Sequence, residues 1–511
     1  MLKNLYKAVF IITIFSILTR IIGFFTRILM SRSLGAEAIG VYQISSSILM
    51  VFLTIVSSGI PLTISRLSAK YQALKQPELE GQAVSAGTII STALSIIICI
   101  LTIVFKDLLI KISGSSLAIA ILIALLPTVI GTALNVGFKG ALWGRQRHFE
   151  NSLVDFIESI IKLLLCVVLI NSAKTIEQGI IGCAISISVA CVISTVISMF
   201  FYFKAGGKFR NPKKQYKTIL KTSTPITFLR IISSLAGTLM SMIIPYRLVC
   251  CGYTSEQALS LFGIAVGMTL PLLYLPNTLV GSLATALVPD LAKLKAEKNS
   301  DEFILKVKSS LTFSVFISLF FVPSFMSIGK PIGAFVYNNE LSGTFLSKCA
   351  LIMLPMGLNS ISSSILNSMG LEVKSFIHYI LGSIGLFASI WFLPSFFGIY
   401  SIAIGMTFSL IVSTYLNIKM IKKELNAKNQ LLLKDTIKMC LFLIPSTLIN
   451  YFTYNLFSKV FTQFFSIALS CIIGASFFSI LCLVFKIFTL DSLFVNLKKI
   501  RILKKKAKKK A

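Results

Sequence analysis

Residues 222–295 read TSTPITFLRIISSLAGTLMSMIIPYRLVCCGYTSEQALSLFGIAVGMTLPLLYLPNTLVGSLATALVPDLAKLK. Two long apolar segments enclose a short polar hairpin here, and a basic amphipathic segment follows them. The stretch lies near the middle of a chain of 511 residues and repeats the layout of the N-terminus. At a constant offset of 220 residues, Arg27 corresponds to Arg247 and Tyr42 corresponds to Phe262. This correspondence predicts a chain built from two related halves.

The composition is that of a membrane protein. Hydrophobic residues make up 55% of the chain and charged residues 13%, with a mean hydropathy of +0.87, whereas about a quarter of the residues of a soluble domain are charged. Because lipid offers no partner to a backbone amide, a helix that crosses the bilayer needs about 20 mostly apolar residues. This measure predicts an all-α integral membrane protein with about 14 transmembrane helices. The predicted spans lie near 6–31, 40–63, 84–106, 117–143, 152–171, 179–203, 219–247, 259–288, 307–329, 344–368, 374–394, 397–420, 436–457 and 462–488.

The predicted spans group into two pseudo-symmetric lobes of six helices each. The N-terminal lobe covers 1–205 and the C-terminal lobe 206–420, helices 13 and 14 occupy 421–490, and 491–511 is a basic cytoplasmic tail. An offset of six spans is even, so the two halves point the same way across the membrane. Parallel repeats of this kind are related by an axis along the membrane normal and move against one another around a central site.

The positive charge is distributed unevenly along the chain. The net charge is +31, and most of the 49 lysines and arginines fall on the side of the predicted bundle that carries the N-terminus. Cytoplasmic loops of membrane proteins carry such an excess, so we predict a multi-pass protein of the cell membrane with both termini in the cytoplasm. The basic segments 204–221, 419–438 and 498–510 suit anionic membrane lipids as partners, and no nucleic acid is expected.

Two predicted helices carry pairs of arginines. Arg20 and Arg27 are seven residues apart and therefore share one face of the first helix. The seventh predicted helix carries Arg230 and Arg247. A charge at bilayer depth costs at least about 2.5 kcal/mol and therefore faces a wet cavity or a partner. We predict that all four line a cavity and bind an anion; for Arg27, near the outer end, an alternative is contact with lipid head groups.

The fifth predicted helix carries three charged residues on one face. Asp155, Glu158 and Lys162 follow one another at spacings of three and four, and Glu158 and Lys162 can pair at i and i+4. One interpretation is a pair that neutralises itself inside the bundle. The other is a cytoplasmic gate or a site for a coupling ion.

The sequence contains no pattern of an enzyme or a metal centre. A phosphate-binding GxxxxGK[ST] motif is absent, the chain has only two histidines, and its ten cysteines show no metal-ligand spacing. We therefore predict a protein that is not an enzyme, with no cofactor, no metal ligand and no catalytic residue.

Several stretches resemble the polysaccharide transporter branch of the multidrug/oligosaccharidyl-lipid/polysaccharide exporter (MOP) superfamily. Within this branch, the likeness is greatest to the proteins of the sporulation protein B type and to their relatives, the peptidoglycan lipid flippases. The motifs that carry it are TRIIGFFTRILMSRSLGAEAIGVYQ at 19–43, SSGIPLTISRLSAKY at 57–71, GALWGRQRHFENSLVDFIESIIKL at 140–163, PITFLRIISSLAGTLMSMIIPYRL at 225–248, GYTSEQALSLFGIAVGMTLPLLYLPNTLVGSLATALVPDLAK at 252–293 and SSSILNSMG at 362–370. With the predicted spans, the resemblance extends over essentially the whole chain.

The resemblance implies a flippase that moves a sugar linked to undecaprenyl diphosphate, such as a peptidoglycan precursor, from the inner to the outer leaflet. It implies alternating access and a role in spore cortex or cell-wall synthesis. In the relatives, cavity arginines are assigned to the diphosphate, and Arg20 matches the arginine of their first helix. Glu158 and Lys162 match an acidic–basic pair usual in the fifth helix, whereas Asp155 stands where an amide is typical.

Two other functions remain open from the sequence. A cation-coupled multidrug or polysaccharide exporter of the same superfamily needs a carboxylate within the membrane, and Asp155 and Glu158 are the candidates. A scaffold would instead recruit cell-wall synthesis enzymes through the basic tail, and these enzymes are further candidate partners.

Overall fold

The computed structural model describes residues 2–212, 215–296, 300–425, 433–485 and 487. Within these ranges the chain is almost entirely helical and contains no β-strand. The predicted basic tail at 491–511 lies outside the described residues.

Nineteen α-helices account for nearly all of the described chain. They are α1 (Leu2–Ser57), α2 (Ile60–Ala73), α3 (Pro77–Val104), α4 (Lys106–Ser113), α5 (Ser116–Gly144), α6 (His148–Ser172), α7 (Ile176–Lys204), α8 (Tyr216–Cys250), α9 (Ser255–Phe262), α10 (Leu270–Ala296), α11 (Ser300–Phe320), α12 (Val322–Tyr337), α13 (Glu340–Cys349), α14 (Met353–Ser368), α15 (Glu372–Phe392), α16 (Pro394–Phe397), α17 (Tyr400–Glu424), α18 (Leu433–Phe457) and α19 (Gln463–Val484). A π-helical segment, Gly263–Thr269, joins α9 to α10, and a 3₁₀ turn, Ala350–Ile352, joins α13 to α14.

Twelve helical segments of the described chain are long and apolar enough to cross a membrane. The count differs from the predicted fourteen at two places. Ile14–Ala73 is counted once, although its 60 residues would extend about 90 Å as one helix, three times the thickness of the hydrocarbon core. His148–Ser172 is left out because four of its 25 residues are charged. The all-α multi-pass fold is confirmed, and the number fourteen stays a prediction.

Helix α1 bends sharply at Gly35. This residue has a φ of 82° and a ψ of 178°, a conformation that side chains with a Cβ rarely adopt. The bend separates the first predicted span from the second within one continuous helical segment. Ser57 then ends α1, and α2 begins at Ile60 with a proline in its first turn.

Past its bend, α1 packs against α9 at backbone contact. A Cβ built on Gly40 would lie 2.1 Å from the Leu259 carbonyl oxygen, and one built on Gly263 would lie 2.0 Å from the Ala36 carbonyl oxygen. Neither obstacle is a flexible side chain, so the two helices stay this close only because both positions are glycine.

Replacing Gly40 with alanine should therefore destabilise the protein. We expect the free energy of unfolding to fall by about 1–3 kcal/mol, because the added methyl group forces backbone shifts in a packed interior. The measurement is a denaturant titration of the purified protein in mixed micelles. Gly237→Ala on α8 is the matched control, since a Cβ there meets nothing within 4 Å; it should leave stability unchanged or raise it. Equal effects of the two substitutions would contradict the close approach.

The described helices form two compact units. Unit 1 comprises 1–268 and 394–399, and unit 2 comprises 269–393 and 400–511. This grouping by spatial proximity does not test the predicted division at 205 and 420, which concerns the internal repeat and stays a prediction.

Unit 1 is built around α5, which packs against α2, α3 and α7, while α1 packs against α5, α6 and α8. Its core includes the fully buried Ile64, Val84 and Tyr202. In unit 2, α10, α11 and α14 share a core that includes Leu291 and Leu311, and α15 pairs with α17.

A buried ion pair connects three helices of unit 1. The Glu80 carboxylate on α3 is fully buried and receives Nε and Nη2 of Arg145, the residue that follows α5, at 2.7 and 3.0 Å. It also accepts hydrogen bonds from Ser68 and, at 2.6 Å, from Gln72 at the end of α2. We call these four residues the Glu80 cluster.

The chain segment after α7 completes the surroundings of Arg145. Its Nη1 donates to the Ala205 carbonyl oxygen at 2.6 Å, and its guanidinium lies 5.3 Å from the centre of the Tyr202 ring. The Tyr202 hydroxyl in turn donates to the Lys208 carbonyl oxygen at 3.2 Å. Each nitrogen and each oxygen atom of the buried pair thus has at least one hydrogen-bond partner, as a buried charge requires.

Candidate functional site

A polar cavity of about 390 Å³ lies within unit 1, in the range of small-ligand pockets. It is formed where α1 gives way to α2, and by faces of α5, α6, α7 and α8. Its lining residues are Ser57, Ser58, Pro61, Leu62, Thr132, Asn135, Val136, Lys139, Trp143, Glu158, Cys191 and Arg230.

One face of α5 lines the cavity. Thr132, Asn135, Lys139 and Trp143 follow at intervals of three and four residues and therefore form a continuous stripe. On the other side of α5, Gly137 has no side chain, so α3 packs very closely against it. A Cβ built on Gly137 would lie 2.1 Å from Oγ1 of a threonine on α3. The close approach of α3 on one side leaves the polar stripe to face the cavity.

Lys139 forms an ion pair with Asp155 across α5 and α6. The distance from Nζ to Oδ1 is 2.6 Å, and the two side chains are 25% and 46% exposed. Glu158, one turn further along α6, also lies close enough to Lys139 for electrostatic attraction. At this exposure the pair contributes little net stability, as is usual for partly solvated ion pairs.

Asp155 and Arg20 both line a second cavity in unit 1. This cavity has a volume of about 170 Å³ and is lined by Phe15, Ser16, Thr19, Arg20, Ser152 and Asp155. Arg20 thus lies beside a cavity, and its role in binding an anion stays a prediction.

Arg27 lies near Lys162 of α6. Lys162 is near both Glu158, as the i and i+4 spacing predicts, and Arg27. Nη1 of Arg27 donates to the Gly267 carbonyl oxygen in the π-helical segment at 3.2 Å. The guanidinium is thus held within the protein, and it does not line either of the two cavities.

The two arginines of α8 differ in their surroundings. Arg230 is exposed, lines the larger cavity and donates to the Ser58 carbonyl oxygen at 3.2 Å. Arg247 is half-buried in the last turn of α8 and is not among the lining residues of these two cavities. Its predicted role in anion binding stays a prediction.

Basic side chains outnumber acidic ones in this region of unit 1. The residues concerned are Arg20, Arg27, Lys139, Lys162 and Arg230 against Asp155 and Glu158. The sequence reasoning missed Lys139 as a site residue because it lies close to the end of its predicted span. The signal that would have found it is its place on the polar stripe of α5. Among the described residues, no three His, Cys, Asp or Glu side chains are grouped to hold a metal.

A bundle of apolar helices around a charged cavity is an architecture typical of multi-pass membrane transporters. The chain belongs to the family of polysaccharide biosynthesis proteins, whose sequence profile matches residues 5–295.

Two proteins of Bacillus subtilis (strain 168) are similar to it in sequence. Stage V sporulation protein B is 22% identical over 511 residues, which cover 96% of this chain and 97% of that protein. Sporulation protein YkvU is 21% identical over 323 residues, covering 61% of this chain and 70% of that protein.

Solved structures of a lipid flippase and of a multidrug transporter are similar to this chain in fold. The lipid II flippase MurJ in an inward closed conformation has a TM-score of 0.72 at 15% identity, covering 95% of this chain and 99% of that one. An inward-facing MATE multidrug resistance transporter of the MOP superfamily has a TM-score of 0.68 at 15% identity, covering 81% and 96%. These matches confirm the predicted multi-pass membrane fold.

Proposed function

We propose that this chain is a flippase that moves an undecaprenyl-diphosphate-linked cell-wall precursor from the inner to the outer leaflet of the cell membrane. The observation that carries the proposal is the excess of basic side chains in unit 1, with Arg20, Lys139 and Arg230 on the cavity walls. A guanidinium presents a planar fork of donors that suits a diphosphate, and an ammonium adds a compact positive charge. Two relatives named as sporulation proteins and a fold neighbour named as a lipid II flippase support a peptidoglycan precursor for the spore cortex or cell wall.

The proposed mechanism is alternating access with an exchange of ion-pair partners. With both termini in the cytoplasm, the polar stripe of α5 runs towards the cytoplasmic face from Thr132 to Trp143. The diphosphate therefore enters the cavity past Trp143. The diphosphate then displaces Asp155 from Lys139 and also binds Arg230. Once Asp155 is released, α6 is free to move, and Glu158 and Lys162 on the same helix act as the gate. Arg247 receives the diphosphate near the outer face.

The membrane potential is the proposed driving force for the return of the empty carrier. A charge that crosses the membrane gains about 2.3 kcal/mol per 100 mV, and the empty cavity carries net positive charge. Transport that stays unchanged when the potential is collapsed would contradict this part of the mechanism.

The test of the proposed function is flipping of a labelled undecaprenyl-diphosphate muropeptide by the full chain in proteoliposomes. Arg20→Ala and Arg230→Ala should each lower the flipping rate about tenfold or more, because each removes a charge-assisted hydrogen bond. Arg147→Ala is the matched control: this arginine is 47% exposed and pairs with Glu150 at 2.7 Å, outside both cavities. A native chain that does not flip the lipid would refute the proposal.

A cation-coupled multidrug or polysaccharide exporter is the second candidate. Its support is the half-exposed carboxylate of Asp155, with Glu158 nearby, in a chain that shares the MATE fold. Transport of a cationic dye that is driven by a proton gradient, and that is abolished by the substitution Glu158→Gln, would favour this function over the flippase.

Partners other than the lipid-linked sugar follow from the charge of the loops. Anionic membrane lipids suit the basic segment 204–221, and cell-wall synthesis enzymes are candidate partners of the basic tail. Deletion of 491–511 that abolished cell-wall assembly but left lipid flipping intact would support recruitment through the tail.

A further inference from the structure

Two residues that line the larger cavity each have a buried polar atom with no hydrogen-bond partner among the described residues. The two atoms are Oδ1 of Asn135, whose side chain belongs to a residue only 4% exposed, and Oγ of Ser58. A buried polar atom without a partner is costly in free energy. The wall therefore presents hydrogen-bonding capacity that a ligand with hydroxyl or amide groups would satisfy.

These atoms lie beside the cationic part of the cavity. Lys139 follows Asn135 by four residues on α5, which places it one turn away, about 6 Å along the helix axis. Ser58 contributes its carbonyl oxygen to Arg230 while its hydroxyl is unpartnered. An uncharged polar residue thus adjoins each of two cations.

We propose that Asn135 and Ser58 form a subsite for the first sugar attached to the diphosphate, whose hydroxyl or amide groups they bind. The inference rests on the proposed function and adds to it a source of selectivity. A site built to hydrogen-bond a substrate hydroxyl rejects the analogue that lacks it, because the buried groups of the site are then left unpaired. The protein accordingly favours a glycosylated carrier lipid over the bare undecaprenyl diphosphate.

The two tryptophans of the chain provide the readout. Trp143 lines the cavity and Trp391 belongs to unit 2. In a Trp391→Phe background the remaining fluorescence comes from Trp143, so the full-length protein in lipid nanodiscs can be titrated with each lipid. The two lipids are undecaprenyl diphosphate carrying its sugar and undecaprenyl diphosphate alone.

In this background, Asn135→Ala should weaken binding of the sugar-bearing lipid about two- to tenfold, the range of one hydrogen bond. Its affinity for undecaprenyl diphosphate should stay unchanged. Ser58→Ala, which removes one oxygen and little volume, should also weaken binding of the sugar-bearing lipid. It provides a second test if the Asn135→Ala variant fails to fold. The matched control is Asn151→Ala on α6, another buried asparagine with an unpartnered Oδ1 that does not line the cavity; it should change neither affinity.

The outcomes separate the subsite from the proposed function. Equal weakening of both lipids, or no weakening of either, would overturn the subsite. A native chain that binds undecaprenyl diphosphate without favouring the sugar-bearing lipid would also overturn the subsite, while the proposed function would stand. Binding of neither lipid by the native chain would overturn both.

Discussion

Replacing Glu80 with alanine should lower the free energy of unfolding by about 3–5 kcal/mol, the cost of leaving one member of a buried ion pair without its partner. The loss is large because Arg145, whose side chain is 9% exposed, would keep its charge in a place with no replacement for the carboxylate. Ser68 and Gln72 would each lose an acceptor as well. The measurement is a denaturant titration of the purified protein in mixed micelles.

An exposed ion pair supplies the control for this prediction. Lys330 and Glu340 pair at 2.9 Å with side chains 62% and 66% exposed, so Lys330→Ala should change stability by less than about 1 kcal/mol. A double variant, Glu80→Leu with Arg145→Leu, should lose less than the two single variants combined, because no uncompensated charge remains. Additive losses would show that the two side chains contribute independently.

Replacing Lys139 with alanine should reduce flipping of the diphosphate lipid about ten- to a hundredfold. The substitution removes a cation from the cavity and also frees Asp155, so the site changes by one charge and gains an unpaired carboxylate near the proposed position of the anion. A hydrogen bond to a charged group is worth about 1.5–3 kcal/mol, and each 1.4 kcal/mol corresponds to about tenfold. The rate is measured in proteoliposomes with Lys111→Ala, an exposed lysine of α4, as the control.

A second substitution separates the two consequences of losing Lys139. Asp155→Asn in the Lys139→Ala background restores the net charge of the cavity, and we expect it to recover only the part of the transport that the unpaired carboxylate had cost, because the hydrogen bond from Lys139 stays lost. Failure to recover would show that Lys139 itself is an indispensable ligand. Unimpaired transport in Lys139→Ala would refute its place in the path of the anion.

The sequence predicted the class of fold and much of the local geometry. Helical spacing predicted that Glu158 and Lys162 lie together, and the structure places Arg20 and Arg230 beside cavities, where their role in binding an anion stays a prediction. Periodicity identifies which face of a helix is polar. It does not identify the neighbouring helix that this face meets.

For that reason the long-range pairs were missed. Lys139 and Asp155 are 16 residues apart on separate helices, and Glu80 and Arg145 are 65 residues apart. In the sequence alone, nothing connects the members of either pair. Only the packing of α3, α5 and α6 brings them together.

The Glu80 cluster also sets an order of events during synthesis of the chain. Glu80 leaves the ribosome 65 residues before Arg145, an interval of about 3–13 s at 5–20 residues per second. Through this interval the carboxylate has no cation of its own and must stay in water or among lipid head groups. Arg145 then waits another 60 residues for the Ala205 carbonyl. The hydrogen bonds around Arg145, which connect α2, α3, α5 and the end of α7, are therefore complete only when the chain has been made as far as Ala205.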